Sequence, residues 1–166
     1  MRLLLIIIAV CIVFLSCNKD NVKAGSTVEI YLLKSFQTLT GKCQIDASTA
    51  SLQDTAIIRN QDILEYSQTN YQFKLTDTVI QKIKTFKDFT PFAVTVDKQV
   101  IYYGFFKPSI SSSACFNSIT MDLDWTSGNK INLKLGYPGQ LQGVTIDDER
   151  NNPKLIITLG SQGKLK

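Results

Sequence analysis

Between residues 119 and 137 the side chains alternate in character one by one, and this pattern restricts the fold more than any other feature of the chain. Ile119, Met121, Leu123 and Trp125 are apolar, while Thr120, Asp122 and Asp124 between them are polar. Past Ser127-Gly128-Asn129 the pattern resumes, with Ile131, Leu133, Leu135 and Tyr137 spaced by Lys130, Asn132 and Lys134. A repeat of two belongs to an extended chain whose successive side chains leave on opposite faces. Two such runs around a Gly-containing turn predict an antiparallel hairpin. The apolar row points to a core. The polar row points outward, where the lysines can pair with Asp122 and Asp124 across the strands.

Other segments extend this pattern. Thr27 to Leu33 reads as a strand with Val28, Ile30 and Leu32 on one face. Ile63–Tyr66 and Tyr71–Leu75 read as a pair joined at Thr69-Asn70. Phe92, Val94 and Val96 form another strand, Asp97-Lys98 turns the chain, and Val100 to Phe106 returns. That returning run is apolar on both faces, so it is either central and covered on each side or presents aromatics outward. Pro108 ends it, and a serine-rich loop leads past Cys115. Lys34 to Asn60 lacks periodic apolar residues and reads as loop around Cys43, with Ile57-Ile58 as a short strand. Two segments break the two-residue repeat. Val79, Ile80, Ile83 and Phe86 follow helical spacing behind a Thr76-Asp77 cap, predicting a helix to about Phe86. Asn152-Pro153 resembles an N-cap and first helical residue before 154–162, with Gly163 as the stop. The sum is an α+β domain: a mainly antiparallel sheet with one or two helices packed on one face.

The N-terminus carries a different message. Arg2 precedes thirteen unbroken apolar residues, 3–15, and Ser16 then precedes Cys17 and the polar run Asn18-Lys19-Asp20-Asn21. Thirteen is the length of a signal-peptide core and short of the roughly 18 to 20 residues of a membrane span. Ser16-Cys17 resembles the lipobox of bacterial lipoproteins, with Phe14 where leucine is commoner. The resemblance implies export, cleavage after Ser16 and lipid (palmitate-type) modification of Cys17. It divides the chain into a signal peptide at 1–16, a lipidated tether at 17–26 and one α+β domain at 27–166. Asn18-Lys19-Asp20 resembles the signal that some Gram-negative bacteria use for surface display. The expected address is the outer membrane, on its periplasmic face or at the cell surface.

Composition narrows the chemistry. The chain has no histidine, which removes histidine-based general bases, catalytic triads and the commonest metal ligand together. Beyond residue 16 there are 17 basic and 14 acidic residues, scattered rather than striped, so nothing suggests nucleic acid. Cys43 and Cys115 remain after the leader and Cys17 are set aside; they form either one disulfide or two buried thiols. Tyr102, Tyr103, Phe105, Phe106, Trp125 and Tyr137 offer a stacking surface for a glycan or peptide, although aromatics at strand spacing usually belong to a core. Asp122 with Asp124, and the run Asp147-Asp148-Glu149, are the carboxylates available for hydrolysis or lysis; each reads better as a surface charge group. Ser109 to Ser113 has no histidine to activate a hydroxyl. No catalytic set, metal site or cofactor motif emerges.

Residues 71–106 run strand, Leu75-Thr76-Asp77 cap, helix and the hairpin Pro91 to Tyr102. This order is similar to the periplasmic head subdomain of the SecD export protein, which implies an α+β sandwich and nothing about transport. Ile63-Leu64, Ile101-Tyr102, Ser111-Ser112, Leu135-Gly136-Tyr137-Pro138 and Asn152-Pro153-Lys154 together resemble a group of small uncharacterised bacterial lipoproteins. The resulting expectation is a non-enzymatic module, anchored in the membrane by lipid, that binds another envelope protein or an extracellular polymer. A carboxylate-dependent hydrolase or lyase and an inhibitory or immunity-type lipoprotein stand as alternatives.

Overall fold

The computed structural model describes residues 25–108, 110–123 and 128–166. In chain order it contains β1 (Val28–Ser35), β2 (Ser51–Leu52), β3 (Ile63–Ser67), β4 (Gln72–Leu75), α1 (Asp77–Ile83), β5 (Thr90–Val96), β6 (Gln99–Pro108), β7 (Cys115–Leu123), β8 (Lys130–Tyr137) and α2 (Pro153–Ser161). The strands make one sheet in the order β2-β1-β5-β6-β7-β8-β4-β3. Neighbours are antiparallel except β6 and β7, which run parallel with Gly104 opposite Ile119 and Phe106 opposite Met121. The architecture is α+β, mainly antiparallel, as the periodicities predict.

Both helices lie against one face. Val79, Ile80 and Ile83 of α1 and Leu155 and Leu159 of α2 join Ile30, Phe73, Phe92, Phe106, Met121 and Ile131 in one buried cluster. Helix α1 ends earlier than the apolar spacing predicts. After Ile83 the bonds shorten to three-residue turns (Thr85 N–H to Lys82 O, Phe86 N–H to Ile83 O), and the Thr85 hydroxyl takes the same Lys82 carbonyl. Phe86 still reaches the core, its ring 5.1 Å from that of Phe106. Helix α2 starts as its cap predicts, the Asn152 side chain accepting from Lys154 N–H at 2.9 Å. Gly104 lets these layers close: a Cβ there would lie 2.4 Å from the Ile119 carbonyl oxygen and 2.4 Å from the Phe92 ring.

The opposite face is covered by irregular chain. Residues 36–46 fold over it, closed by a bridge between Thr38 and Ile45. The return from β6 to β7 also crosses this face, because its carbonyls at Ser111 and Ser113 accept hydrogen bonds from Tyr137 and Lys107 beneath it. This corrects the outward row expected for the 119–137 hairpin. Thr120 is fully buried and Asp122 is 4 % exposed, because they lie on this covered face beside Phe105 and Lys107 of β6. Tyr137 also departs from its expected row with Leu133. Gly136 adopts φ +71°, a conformation costly for any residue with a Cβ, and the chain there turns Tyr137 into the cluster of Phe105, Cys115 and Ala93.

Both sheet edges are blunted. On β3, Tyr66 N–H donates to Lys164 O at 2.7 Å and Lys166 N–H to Tyr66 O at 2.9 Å, laying residues 164–166 alongside as a short parallel addition. On the β1 side, Gln53 N–H reaches Leu32 O and Ile57 N–H reaches Ile30 O.

Candidate binding surface

The irregularly covered face contains a buried lysine. Lys107 continues the apolar run of β6, and its side chain is wholly inaccessible. Its ammonium lies 2.6 Å from Asp88 Oδ1 and donates to Ser113 O at 2.9 Å. The Phe89 ring centre is 3.7 Å away and that of Tyr137 4.9 Å, so two aromatic faces complete the enclosure. Asp88 also accepts from the Ser111 hydroxyl at 2.5 Å. Burial by itself raises the Asp88 carboxyl, but the hydrogen bonds from Lys107 and Ser111 and the lysine charge outweigh it and hold the group below the usual carboxylate range. A buried charge this fully partnered fastens the turn at 88–89 and the β6–β7 return to the sheet.

Beside this chamber lies an open, mainly apolar recess of about 470 Å³. Phe105 forms part of its lining, with the rings of Phe36 and Phe89 edge-on at 6.1 and 5.7 Å. Thr38, Gly41, Lys42 and Cys43 supply the rest, all from the loop after β1. A disulfide joins Cys43 to Cys115, whose Cα atoms are 5.2 Å apart, and so ties that loop to the start of β7. Phe36, in the lining, and Leu39, on the same loop, are 36 % and 37 % exposed, which leaves apolar surface on this loop.

A second recess, of about 220 Å³, opens at the start of the parallel β6–β7 pair. Tyr102, Tyr103, Asn117 and Ser118 line it from the strands, and Thr145, Asp147 and Glu149 from the segment ahead of α2. The Tyr102 hydroxyl is buried without a hydrogen-bond partner. Burial pushes it well above the usual tyrosine range, so it stays protonated and is a donor. The segment is anchored next door by Arg150, which grips Asp148 through Nε and Nη2 at 2.7 Å each, donates to Leu133 O at 3.1 Å and stacks 3.6 Å from the Tyr71 ring centre. Hydrogen bonds from Arg150, opposed by burial, lower the Asp148 carboxyl.

These positions redistribute the residues expected to act. The five described aromatics of that group do not form one stacking surface. Tyr102, Phe105, Phe106 and Tyr137 are buried because covered strands use both faces, and Phe106 belongs to the helix-side core. Phe105 reaches the first recess, Tyr102 and Tyr103 the second, and Trp125 lies outside the described residues. Cys17 and Asp124 also lie outside them. Lys134 pairs with Asp122 Oδ2 across the strands, as the alternation predicts, but Asp122 is buried and not a surface carboxylate. Asp147-Asp148-Glu149 is not uniformly solvated either, since Arg150 takes Asp148 while its neighbours line a recess. Among the described residues no group of three or more His, Cys, Asp or Glu side chains is placed to hold a metal ion, and no helix is long and apolar enough to cross a membrane.

Sequence reasoning missed Asp88, Phe89, Lys107 and Phe36. Lys107 left one signal, a lone charge closing an apolar strand before proline. Phe89, at φ +59°, left none. No protein-family model, curated protein or solved structure matches the chain.

Proposed function

We propose that this chain is a lipid-anchored lipoprotein of the bacterial outer membrane, exported on residues 1–16, held through Cys17, and acting as a non-catalytic binding or accessory module. The apolar leader and the Ser16-Cys17 pair support the address. A disulfide suits an exported compartment. The observation that carries the binding role is the open aromatic recess on the face away from the helices. Its wall is a loop fastened to the sheet by Cys43–Cys115, and Lys42 brings the one charged side chain in its lining. A surface of this kind accepts an apolar side chain from an envelope partner.

Two measurements test the reading. Palmitate-probe labelling of cells should mark the wild-type protein, while Cys17→Ser should lose both the label and the membrane fraction. A photo-crosslinking residue at Leu39, between the lining residues Thr38 and Gly41, should give a discrete adduct in intact cells that Phe36→Ala abolishes. The same residue at Ile157, exposed on α2, should give none. A label that survives Cys17→Ser, or identical adducts from both positions, defeats it.

A further inference from the structure

The loop that walls the aromatic recess carries its fastening inside its own lining. Phe36, Thr38, Gly41, Lys42 and Cys43 come from this loop, while Phe89 precedes β5 and Phe105 lies on β6. Among the described residues, the backbone–backbone hydrogen bonds of 36–46 stay within 37–49. Leu39 N–H donates to Gln44 O, Lys42 N–H to Leu39 O, Asp46 N–H to Gln37 O and Thr49 N–H to Asp46 O. These bonds shape the loop without tying it to the sheet. Its contact with the sheet comes from the Cys43–Cys115 disulfide, from Ile45 in the cluster with Leu33 and Phe105, and from the Phe36 ring on Phe105. A covalent bond thus does what no backbone hydrogen bond of the loop does.

The two cysteines differ in access. Cys115 is 1 % exposed, in the cluster with Phe105, Ala93 and Tyr137, whereas Cys43 is half-buried and lines the open recess. Thiol–disulfide exchange needs an open path for the attacking thiolate, so it enters at Cys43. We propose that this disulfide is a redox latch on the recess, opened by a dithiol reductant; the inference rests on the recess being the binding surface. A thiolate of the reductant attacks Cys43 Sγ, forming a mixed disulfide and breaking the bond to Cys115, whose thiolate leaves and takes a proton. The reductant's second thiolate attacks its own sulfur in the mixed disulfide, and Cys43 leaves and takes a proton. Two electrons and two protons pass to the chain, and the dithiol becomes its disulfide. The second thiol is required because Cys115, its Cα 5.2 Å from that of Cys43, otherwise returns to displace a single thiol. Once released, the loop takes the wall from Thr38 to Cys43 with it, and the recess is lost.

The test uses the full chain in detergent. Dithiothreitol followed by iodoacetamide should label Cys43 and Cys115 without denaturant, as read by peptide mapping, while glutathione should leave the bond closed. Amide exchange of residues 36–46 should then rise at least about tenfold, with β4 and β5 unchanged, and fall back when oxidised dithiothreitol is added. In cells, the adduct from the crosslinking residue at Leu39 should disappear in the double variant Cys43→Ser, Cys115→Ser. A bond that yields to dithiothreitol only on global unfolding overturns the proposal. So does reduction that leaves exchange at 36–46 unchanged, or glutathione that opens the bond as readily. An adduct equal in the wild type and the double variant overturns the latch and leaves the recess reading standing. No adduct from the wild type, with exchange at 36–46 still redox-dependent, sinks the recess reading and with it the control of binding.

Discussion

The sheet buries its two faces by different means. On one, α1 and α2 lay regular apolar stripes across strands of matching pattern, and a single ion pair, Arg150 with Asp148, sits beside Tyr71 and Leu133 of that cluster. On the other, the 36–46 loop, the turn at Asp88-Phe89 and the β6–β7 return cover a smaller cluster and enclose a lysine. The first cover is held by area: each large side chain removed from water contributes roughly 1.5–3 kcal/mol. The second is held by point fastenings, namely one disulfide, one ion pair and a few hydrogen bonds to carbonyls. Regular elements suit a face that only has to be hidden. Irregular chain leaves recesses, and the candidate binding site draws on it.

Three experiments sharpen or break this contrast. The largest effect belongs to the helix side. Phe106→Ala, in contact with Phe86 and Phe92, should cost about 3–5 kcal/mol in urea unfolding, whereas Phe36→Ala on the other face should cost less than about 1. Equal losses would mean that the faces share one energetic character. Next, Cys43→Ala should cost about 2–4 kcal/mol and make residues 36–46 cleavable by protease before the rest of the chain. Cleavage only at global unfolding would show that the loop needs no fastening.

The smallest effect concerns the ion pair. A double-mutant cycle of Lys107→Met and Asp88→Asn should give a coupling of about 1–3 kcal/mol at neutral pH. The Asp88 carboxyl is held below its ordinary range in the folded state. Its contribution is therefore complete above the unfolded carboxyl pKa and is lost as pH falls through the lower folded value. The coupling should vanish in strong acid; a coupling that grew there would refute the pairing.

The same contrast explains how much was legible in the sequence. The helix-side layer could be read because Val79-Ile80-Ile83 and Ile119-Met121 repeat with the period of their own element, and burial follows from the repeat. The other face was misread where local pattern and topology part company. Thr120 and Asp122 look like a solvent row because hairpin partners lie close in sequence. What buries them is the irregular chain that covers this face over Phe105 and Lys107 beside them, which no local repeat encodes. Tyr137 was assigned to the wrong side because one glycine at positive φ breaks the alternation. Of the candidate sites, Cys43 and Cys115 were identified as a pair to watch. Phe36, Phe89 and Asp88 meet only through contacts far apart in sequence.

The short addition of residues 164–166 on β3 has a consequence for association between copies. An uncapped row of amides and carbonyls would let one molecule's sheet continue into the next without limit. Residues 164–166 occupy that row on one side, and the segment at 53–58 obstructs the other. Among the described residues, both sheet edges thus have part of their pairing row already taken by the same chain.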